Sequence, residues 1–313
     1  MEFEHIPVML GECIEGLAIK PDGIYLDGTV GGAGHSTEIA KRLTGGRLIA
    51  LDQDPDAIKT ATERLSGYPQ AQVILANFKN MESVLEELSI PGVDGILLDL
   101  GVSSHQLDEA ERGFSYQLDA PLDMRMSQSG TSARDIVNRY SVDELTRILR
   151  EYGEEPFARP IARNIERARK QKEIETTFAL ADIIKSSVPA ARRREKNPCK
   201  RTFQAVRMEV NGELDSLSEG LDQAFKCLNG GGRLVVLTFH SLEDRMVKRR
   251  FAEWCRGCTC PPDFPVCVCG NKPKARLIGR KPATASETEQ EKNRRSKSAK
   301  LRIVEKIQEN VSG

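Results

Sequence analysis

The sequence predicts an α/β protein in which a parallel, Rossmann-like sheet is interrupted by an inserted all-helical domain. Three observations carry this reading. Apolar runs close at residues 27, 52, 77 and 99, at intervals of 25, 25 and 22, which is room for a strand, a helix and two short loops. A glycine-rich turn follows the first run. More than 130 residues then separate Asp99 from the next strong run, Arg233–Thr238, and that stretch reads helical with no strand alternation.

Taken in order, Ile24–Asp27 is the first strand and residues 35–43 open a helix. Arg47–Asp52 is the second strand. Asp54-Pro55 then supplies a cap and a proline at the first helical position before Ala57–Leu65. Gln72–Asn77 is the third strand, Asn80–Leu88 an amphipathic helix ending before Pro91, and Asp94–Asp99 the fourth strand. Val142–Glu151, Phe157–Lys172 and Phe178–Ser187 are the clearest helices of the insert. The insert is placed at 105–205, leaving 1–104 and 206–313 as a discontinuous sheet domain. A long helix is expected over Glu209–Leu228, stopped by Asn229 and the three glycines after it. Arg233–Thr238 is the fifth strand, a helix covers 241–252, and Arg276–Arg280 and Ala299–Ile307 are the last two strands. Lys281–Lys297 is polar and expected to be flexible without a partner.

Composition narrows the classes. In 313 residues, 39% are apolar and 29% charged, which suits a soluble globular chain. No apolar run approaches the roughly 20 residues that span a bilayer. The acidic start, Met1-Glu2-Phe3-Glu4-His5, has no signal-peptide pattern, so a cytoplasmic location is expected. The formal net charge of zero conceals an asymmetry. Residues 245–302 hold 16 Lys or Arg against 5 acidic residues, and the rest of the chain 30 against 41. A second basic segment, 192–207, holds seven basic residues and one Glu. Two basic segments on an acidic body point to a polyanion surface.

The turn Asp27-Gly28-Thr29-Val30-Gly31-Gly32-Ala33-Gly34 carries the chemistry. A strand ending in a carboxylate, a flexible loop and a helix start together make a nucleotide-type site. The dinucleotide pattern G-x-G-x-x-G is not completed, since His35, Ser36 and Thr37 follow Gly34. Asp27 suits a ligand bearing a cation or hydroxyls better than a pyrophosphate. S-adenosylmethionine, with an ammonium and a sulfonium, fits those features; Gly32, Ala33 and Gly34 would cradle it. In open α/β sheets, ligands sit at the carboxyl ends of the strands. Asp52 could therefore accept ribose hydroxyls, Asn77 and Phe78 could meet an adenine, and Asp99 closes the fourth strand. No single cysteine near that strand offers the thiolate that methylation of a pyrimidine carbon needs. An exocyclic amine needs only alignment, exclusion of water and an acceptor for its proton.

Residues 27–36, 99–108 (DLGVSSHQLD), 122–126 (LDMRM), 201–211 (RTFQAVRMEVN), 239–245 (FHSLEDR) and 295–302 (RSKSAKLR) resemble the bacterial 16S rRNA cytosine-N4 methyltransferases of the MraW/RsmH type, as does the opening His5–Leu10. The resemblance spans nearly the whole chain. It implies a class I S-adenosylmethionine-dependent methyltransferase sheet with a helical insert, acting on the exocyclic N4 of a cytosine in the decoding centre of the small ribosomal subunit. It also implies cofactor contacts from Ala33, Gly34, His35, Asp52, Phe78, Asp99 and Gln106. The Asp/Asn-Pro-Pro-aromatic tetrapeptide common to amino-methyltransferases is replaced by Asp99-Leu100-Gly101-Val102, so the partner of the target amine is open among Asp99, Ser103, Ser104 and the insert. Asp123 and Arg125 could orient a flipped base, or pair with each other. His240 could line the target pocket, or cap the helix that follows it. Arg201, Arg207, Arg294, Arg295 and Arg302 are the candidates for RNA phosphates.

Cys255, Cys258, Cys260, Cys267 and Cys269 fall within fifteen residues. Four such thiolates could hold a structural zinc, or the five could be reduced cysteines packed in a loop. The alternative to an enzyme is a non-catalytic ribosome-assembly or RNA-binding factor on the same scaffold; the intact loop, Asp52 and Asp99 favour the enzyme. The oligomeric state is open, a dimer included.

Overall fold

The computed structural model describes residues 7–191, 197–261, 266 and 268–308. These fall into two compact units, Met1–Gly101 with Asp215–Gly313, and Val102–Leu214.

The first unit is built on a seven-stranded sheet of order β3-β2-β1-β4-β5-β7-β6. Its strands are β1 (Ile24–Asp27), β2 (Arg47–Asp52), β3 (Ala71–Leu75), β4 (Val93–Asp99), β5 (Leu228–Thr238), β6 (Ala275–Ala283) and β7 (Lys300–Lys306). β1 to β5 pair in parallel, and β7 lies antiparallel between β5 and β6. Both faces are covered, so the strands are near-continuous apolar runs. Leu26, Ile49, Leu51, Ile96, Leu98, Leu234 and Val236 pack on one face against Met81, Leu85, Leu221 and Phe251. The residues that alternate with them, Tyr25, Leu48, Ala50, Leu97, Val235 and Leu237, pack on the other against Cys13, Leu17, Ile39 and Leu65. Helices α1 (Leu10–Leu17), α2 (Gly34–Ala40) and α3 (Pro55–Leu65) supply the second set. The expected cap of α3 is present, with the Asp54 side chain accepting from the Asp56 N–H behind Pro55.

Chain order reverses at β1, which pairs with β2 on one side and β4 on the other. Asp27 and Asp99 therefore end adjacent strands, with Asp27 level with Leu97. This reversal is where an open sheet leaves a crevice for a ligand.

The second unit is helical. After α4 (Met81–Glu87) of the sheet unit come α5 (Ser104–Asp108), α6 (Ala133–Arg139), α7 (Val142–Glu151), α8 (Ala158–Arg169), α9 (Thr177–Ser187) and α10 (Cys199–Asn211). Ser132 and Ser141 cap α6 and α7 through capping boxes. Ile136, Leu145, Ile148, Ile161, Leu180 and Phe203 meet in one core. The unit runs from 102 to 214 rather than 105 to 205, because all of α10 packs into this core through Cys199, Phe203, Ala205 and Val206.

Three expectations need correction here. The single helix over Glu209–Leu228 is two helices, α10 and α11 (Glu213–Cys227), parted at Gly212, whose φ of 55° is left-handed. The glycines after Asn229 do not end the element in a loop. They lie within β5, which pairs with β4 from Val93 across a register shift. The expected flexible segment 281–297 is also ordered: β6 runs to Ala283, and α13 (Glu287–Lys292) and a 3-10 turn over Arg294–Ser298 follow.

The FHSLEDR and RSKSAKLR segments form one clasp. Asp244, in α12 (Ser241–Trp254), accepts from Arg302 Nε at 2.7 Å and Lys300 Nζ at 3.0 Å. Burial alone would raise the Asp244 carboxyl, but the two cations pull it below its ordinary range. Arg302→Ala should destabilise the chain by about 2 kcal/mol, because it strips a mostly buried carboxylate of its better partner. A denaturant melt checks this, and an unchanged midpoint would show the clasp to be incidental.

Candidate active site

Three carboxyl groups gather at the carboxyl edge of the sheet. Asp27 is 1% exposed; its Oδ2 accepts from Ser36 Oγ at 2.7 Å and its Oδ1 from the Thr29 N–H at 3.1 Å. Burial pushes its pKa up to about 6 against those two bonds. Asp52 Oδ2 accepts from the Gly31 N–H and Oδ1 from the Asp54 N–H, both at 2.9 Å. Burial pushes it up to about 6 as well, with the nearby Asp54 and Asp27 charges adding to the rise. Asp99 is pushed furthest, to about 8, by burial and then by Asp27 and Glu243, with Arg295 pulling the other way. A quarter of its side-chain surface stays open. Its backbone N–H donates to Thr29 Oγ1 at 2.7 Å, which ties the glycine loop to the end of β4.

His35 joins this edge. Its Nε2 lies 3.2 Å from the Val8 carbonyl, which can only accept, so Nε2 carries a proton. In the neutral ring Nδ1 is then an acceptor, and it lies 3.7 Å from Asp99 Oδ2. Ala33, the cap of α2, holds a left-handed φ of 60°, a strain of about 1 kcal/mol stored in the loop. A β-carbon on Gly34 would overlap the Pro7 ring, so the segment before α1 seats directly on the loop. The Met9 N–H donates to Glu289 of α13 at 2.8 Å and holds that segment down.

Phe78 follows β3 at the start of a 3-10 turn. Its ring is packed against Gly220 of α11, where a β-carbon would overlap Cδ2 and Cε2. The Asn77 amide is engaged internally, donating to Gln53 at 2.7 Å and accepting from the Lys79 N–H at 3.0 Å. That leaves Phe78, rather than Asn77, as the candidate for a base.

In the helical unit, Ser103 and Gln106 cap α5 together. Ser103 Oγ accepts from the Gln106 N–H at 3.2 Å, and Gln106 Oε1 accepts from the Ser103 N–H at 3.0 Å.

Comparison with known proteins shows the family of the chain. The model of the MraW methylase family matches residues 2–307. The chain belongs to that family. It is 58% identical over 311 residues to the Ribosomal RNA small subunit methyltransferase H of Lachnospira eligens, covering 98% of this chain and 99% of that one. It is 54% identical over 309 residues to the protein of that name from Clostridium botulinum strain Kyoto, covering 98% and 100%. A third relative, Ribosomal RNA small subunit methyltransferase H 2 of Agathobacter rectalis, is 56% identical over 311 residues. The chain is a methyltransferase, not a bare scaffold. No helix among the described residues is long and apolar enough to cross a membrane.

Within that family frame, several expected site residues have other work. Arg125 spends its guanidinium on Asp123 at 2.6–3.1 Å and on the Gly130 carbonyl, so the pair is an internal ion bridge. His240 caps α12: its Nδ1 accepts from the Glu243 N–H at 3.4 Å, and Nε2 lies 3.0 Å from Glu243 Oε1. Arg207 is turned onto Glu213 at 2.7 and 2.8 Å with 14% of its side chain exposed, and Arg302 is held by Asp244. Neither is presented to phosphate. Arg295 is half-buried, and its charge is the least of the influences on Asp99. Arg294 is exposed, and exposed Arg201 donates to the Glu154 carbonyl at 3.0 Å. Cys258, Cys260 and Cys269 come together, Cys255 ends α12 against the sheet core, and Cys267 lies outside the described residues.

Thr29, Ser36, Glu243 and Gly220 were not singled out by sequence reasoning. Gly220 did leave a signal: a glycine inside a long helix costs about 1 kcal/mol, and here the contact with Phe78 offsets that cost. Gly220→Ala should gain helix propensity yet destabilise the chain by about 1–2 kcal/mol, as Phe78 is driven from its seat. Chemical denaturation reads the sign, and a stabilised variant would mean that the ring moves freely.

Proposed function

We propose that this methyltransferase moves the methyl group of S-adenosylmethionine to the exocyclic N4 of a cytosine in the decoding centre of 16S rRNA, in the cytoplasm. The observation that carries the reading is the Asp27–Asp52–Asp99 edge. Three desolvated carboxyl groups, each pushed upward, favour a ligand that brings positive charge. S-adenosylmethionine brings two such charges, and the loop and Phe78 provide for its remaining parts. Relatives named for the RNA of the small ribosomal subunit, matched end to end, support the substrate class. The resemblance of the DLGVSSHQLD and LDMRM segments supports the cytosine amine.

Cys13 adds a chemical argument. Its thiol feels the Asp99 charge, but burial first, and then that charge with Glu12, Asp27 and Glu289, hold its pKa well above the ordinary value. A thiol kept neutral is no nucleophile for a pyrimidine carbon. Asp99 is instead suited to accept a proton from an amine.

When bound, S-adenosylmethionine supplies an activated methyl group. Asp52 would hold the ribose hydroxyls and Phe78 the adenine face, while Asp27 and Asp99 balance the cationic end. A cation beside Asp99 favours its ionised form, so the residue loses its proton as the site fills and is ready to accept one from the substrate amine. His35 Nδ1 stands behind it as the next acceptor.

The decisive experiment incubates the chain and labelled S-adenosylmethionine with small subunits from a strain lacking the modification. Label should appear in N4-methylcytosine; label in another nucleoside, or none, overturns the reading. Asp52→Asn should weaken cofactor binding by about 10–100-fold while leaving RNA affinity nearly unchanged. Equal loss of both would make Asp52 structural.

The pH dependence has a definite sign. Free Asp99, titrating near 8, holds its proton at pH 7, and binding of a cation expels it. Cofactor affinity should therefore rise from pH 6 to pH 8 and level off above. Calorimetry at pH 7 in buffers of different ionisation enthalpy should find release of about one proton. Proton uptake, or none, would show that the cation does not lie against Asp99.

A further inference from the structure

We propose that Cys258, Cys260 and Cys269 form a thiolate metal site of the kind that takes Zn2+. It lies in the segment between α12 and β6, within the sheet unit and apart from the carboxylate edge in chemistry and in chain position. The three Sγ atoms lie within 4.8 Å of one another, and those of Cys258 and Cys269 are 3.7 Å apart. Thiolates at about 2.3 Å from a tetrahedral Zn2+ stand about 3.8 Å from each other.

Backbone N–H groups converge on the same sulfurs. Cys258 Sγ accepts from the Cys260 N–H at 3.4 Å, and Cys260 Sγ from the Val268 N–H at 3.3 Å. Cys269 Sγ accepts from the N–H groups of Thr259 at 3.3 Å and Asn271 at 3.4 Å. A thiol accepts weakly; a metal-bound thiolate accepts well, and such second donors spread its charge. The Asn271 side chain joins the two arms of the loop, donating to the carbonyls of Gly257 at 2.6 Å and Arg256 at 3.3 Å.

Burial separates this cluster from ordinary reduced cysteines. Cys13, Cys199 and Cys227 are buried, as free cysteine usually is, whereas Cys258 and Cys269 are exposed and Cys260 is intermediate. The base of the loop is closed by the Lys274 N–H on the Trp254 carbonyl at 2.8 Å. Its described interior has no apolar core: Val266 is 69% and Val268 73% exposed. Val266 and Val268 facing water contribute no apolar order to the loop, and metal–thiolate bonds are another source of it. As the metal binds, the three thiols each lose a proton, three sulfur–metal bonds replace bonds to its hydration water, and one retained water fills the fourth position. Cys255 takes no part, since it sits at the end of α12 against the sheet core.

The test measures metal, not methylation, so its outcome stands apart from the proposed reaction. The full chain, purified without chelators, should carry about one zinc by mass spectrometry. After demetallation, Co2+ should restore the site with a thiolate-to-cobalt charge-transfer band and the intense visible bands of tetrahedral coordination. Combined Cys258→Ser, Cys260→Ser and Cys269→Ser should cut bound zinc at least about tenfold, and Cys255→Ser should retain it. If the triple variant does not fold, alkylation of the native chain decides: the three thiols should react slowly until a chelator is added. Freshly reduced chain that takes up no Zn2+, equal alkylation rates with and without chelator, or a Cys258–Cys269 disulfide in metal-free protein kept under inert gas would each overturn the site.

Discussion

The sheet unit is organised around one electrostatic constraint, the desolvation of three carboxylates at the ends of β1, β2 and β4. Each costs free energy to bury, and much of the surrounding structure limits that cost. Ser36 and the Thr29 backbone serve Asp27, the Gly31 and Asp54 backbone serve Asp52, and the Thr29 hydroxyl fixes the backbone at Asp99. The glycine loop is thus less a passive cradle than a set of amides and hydroxyls aimed at acids. What it leaves uncompensated is greatest at Asp99, whose direct partners are a histidine nitrogen at 3.7 Å and the field of Arg295. The cationic ligand proposed for this edge would complete the arrangement.

The same constraint gives meaning to the N-terminal segment. Pro7, Val8 and Met9 do not enter the sheet, yet they set the loop. Pro7 seats on Gly34, the Val8 carbonyl fixes the His35 tautomer, and Met9 is anchored to Glu289. A change at Glu289 would reach Asp99 through Met9, Val8 and His35. The ordering of 281–297 follows from this, because a polar stretch that anchors another segment has a reason to hold one conformation.

Most of the sheet was legible in the sequence because its strands are buried on both faces and therefore read as apolar runs with closing residues in register. Asp27, Asp52 and Asp99 could be found from that register alone. The arginines could not be sorted in the same way. Charge identifies a basic segment but not which guanidinium is already spent, and Arg207, Arg302 and Arg125 are spent on Glu213, Asp244 and Asp123. Gly212 escaped because the α10 and α11 patterns run nearly in phase, and one left-handed residue parts them without a break in hydrophobicity. The glycines of β5 misled for the opposite reason: a bulge against β4 uses the residues that would also end a helix.

The segments by which the chain resembles its family are not independent of one another. Asn211 closes RTFQAVRMEVN and holds LDMRM at two points, accepting from the Met126 N–H and donating to the Met124 carbonyl, both at 2.8 Å. FHSLEDR is fastened to RSKSAKLR through Asp244. The first strand's DGTVGGAGHS is fastened to DLGVSSHQLD through Thr29 and Asp99. Segments far apart in sequence thus supply each other's hydrogen-bond partners. Each of these segments therefore marks a junction of the fold, whatever else it touches. Asp99 stands at such a junction through its backbone, and the proposed reaction draws on its carboxyl.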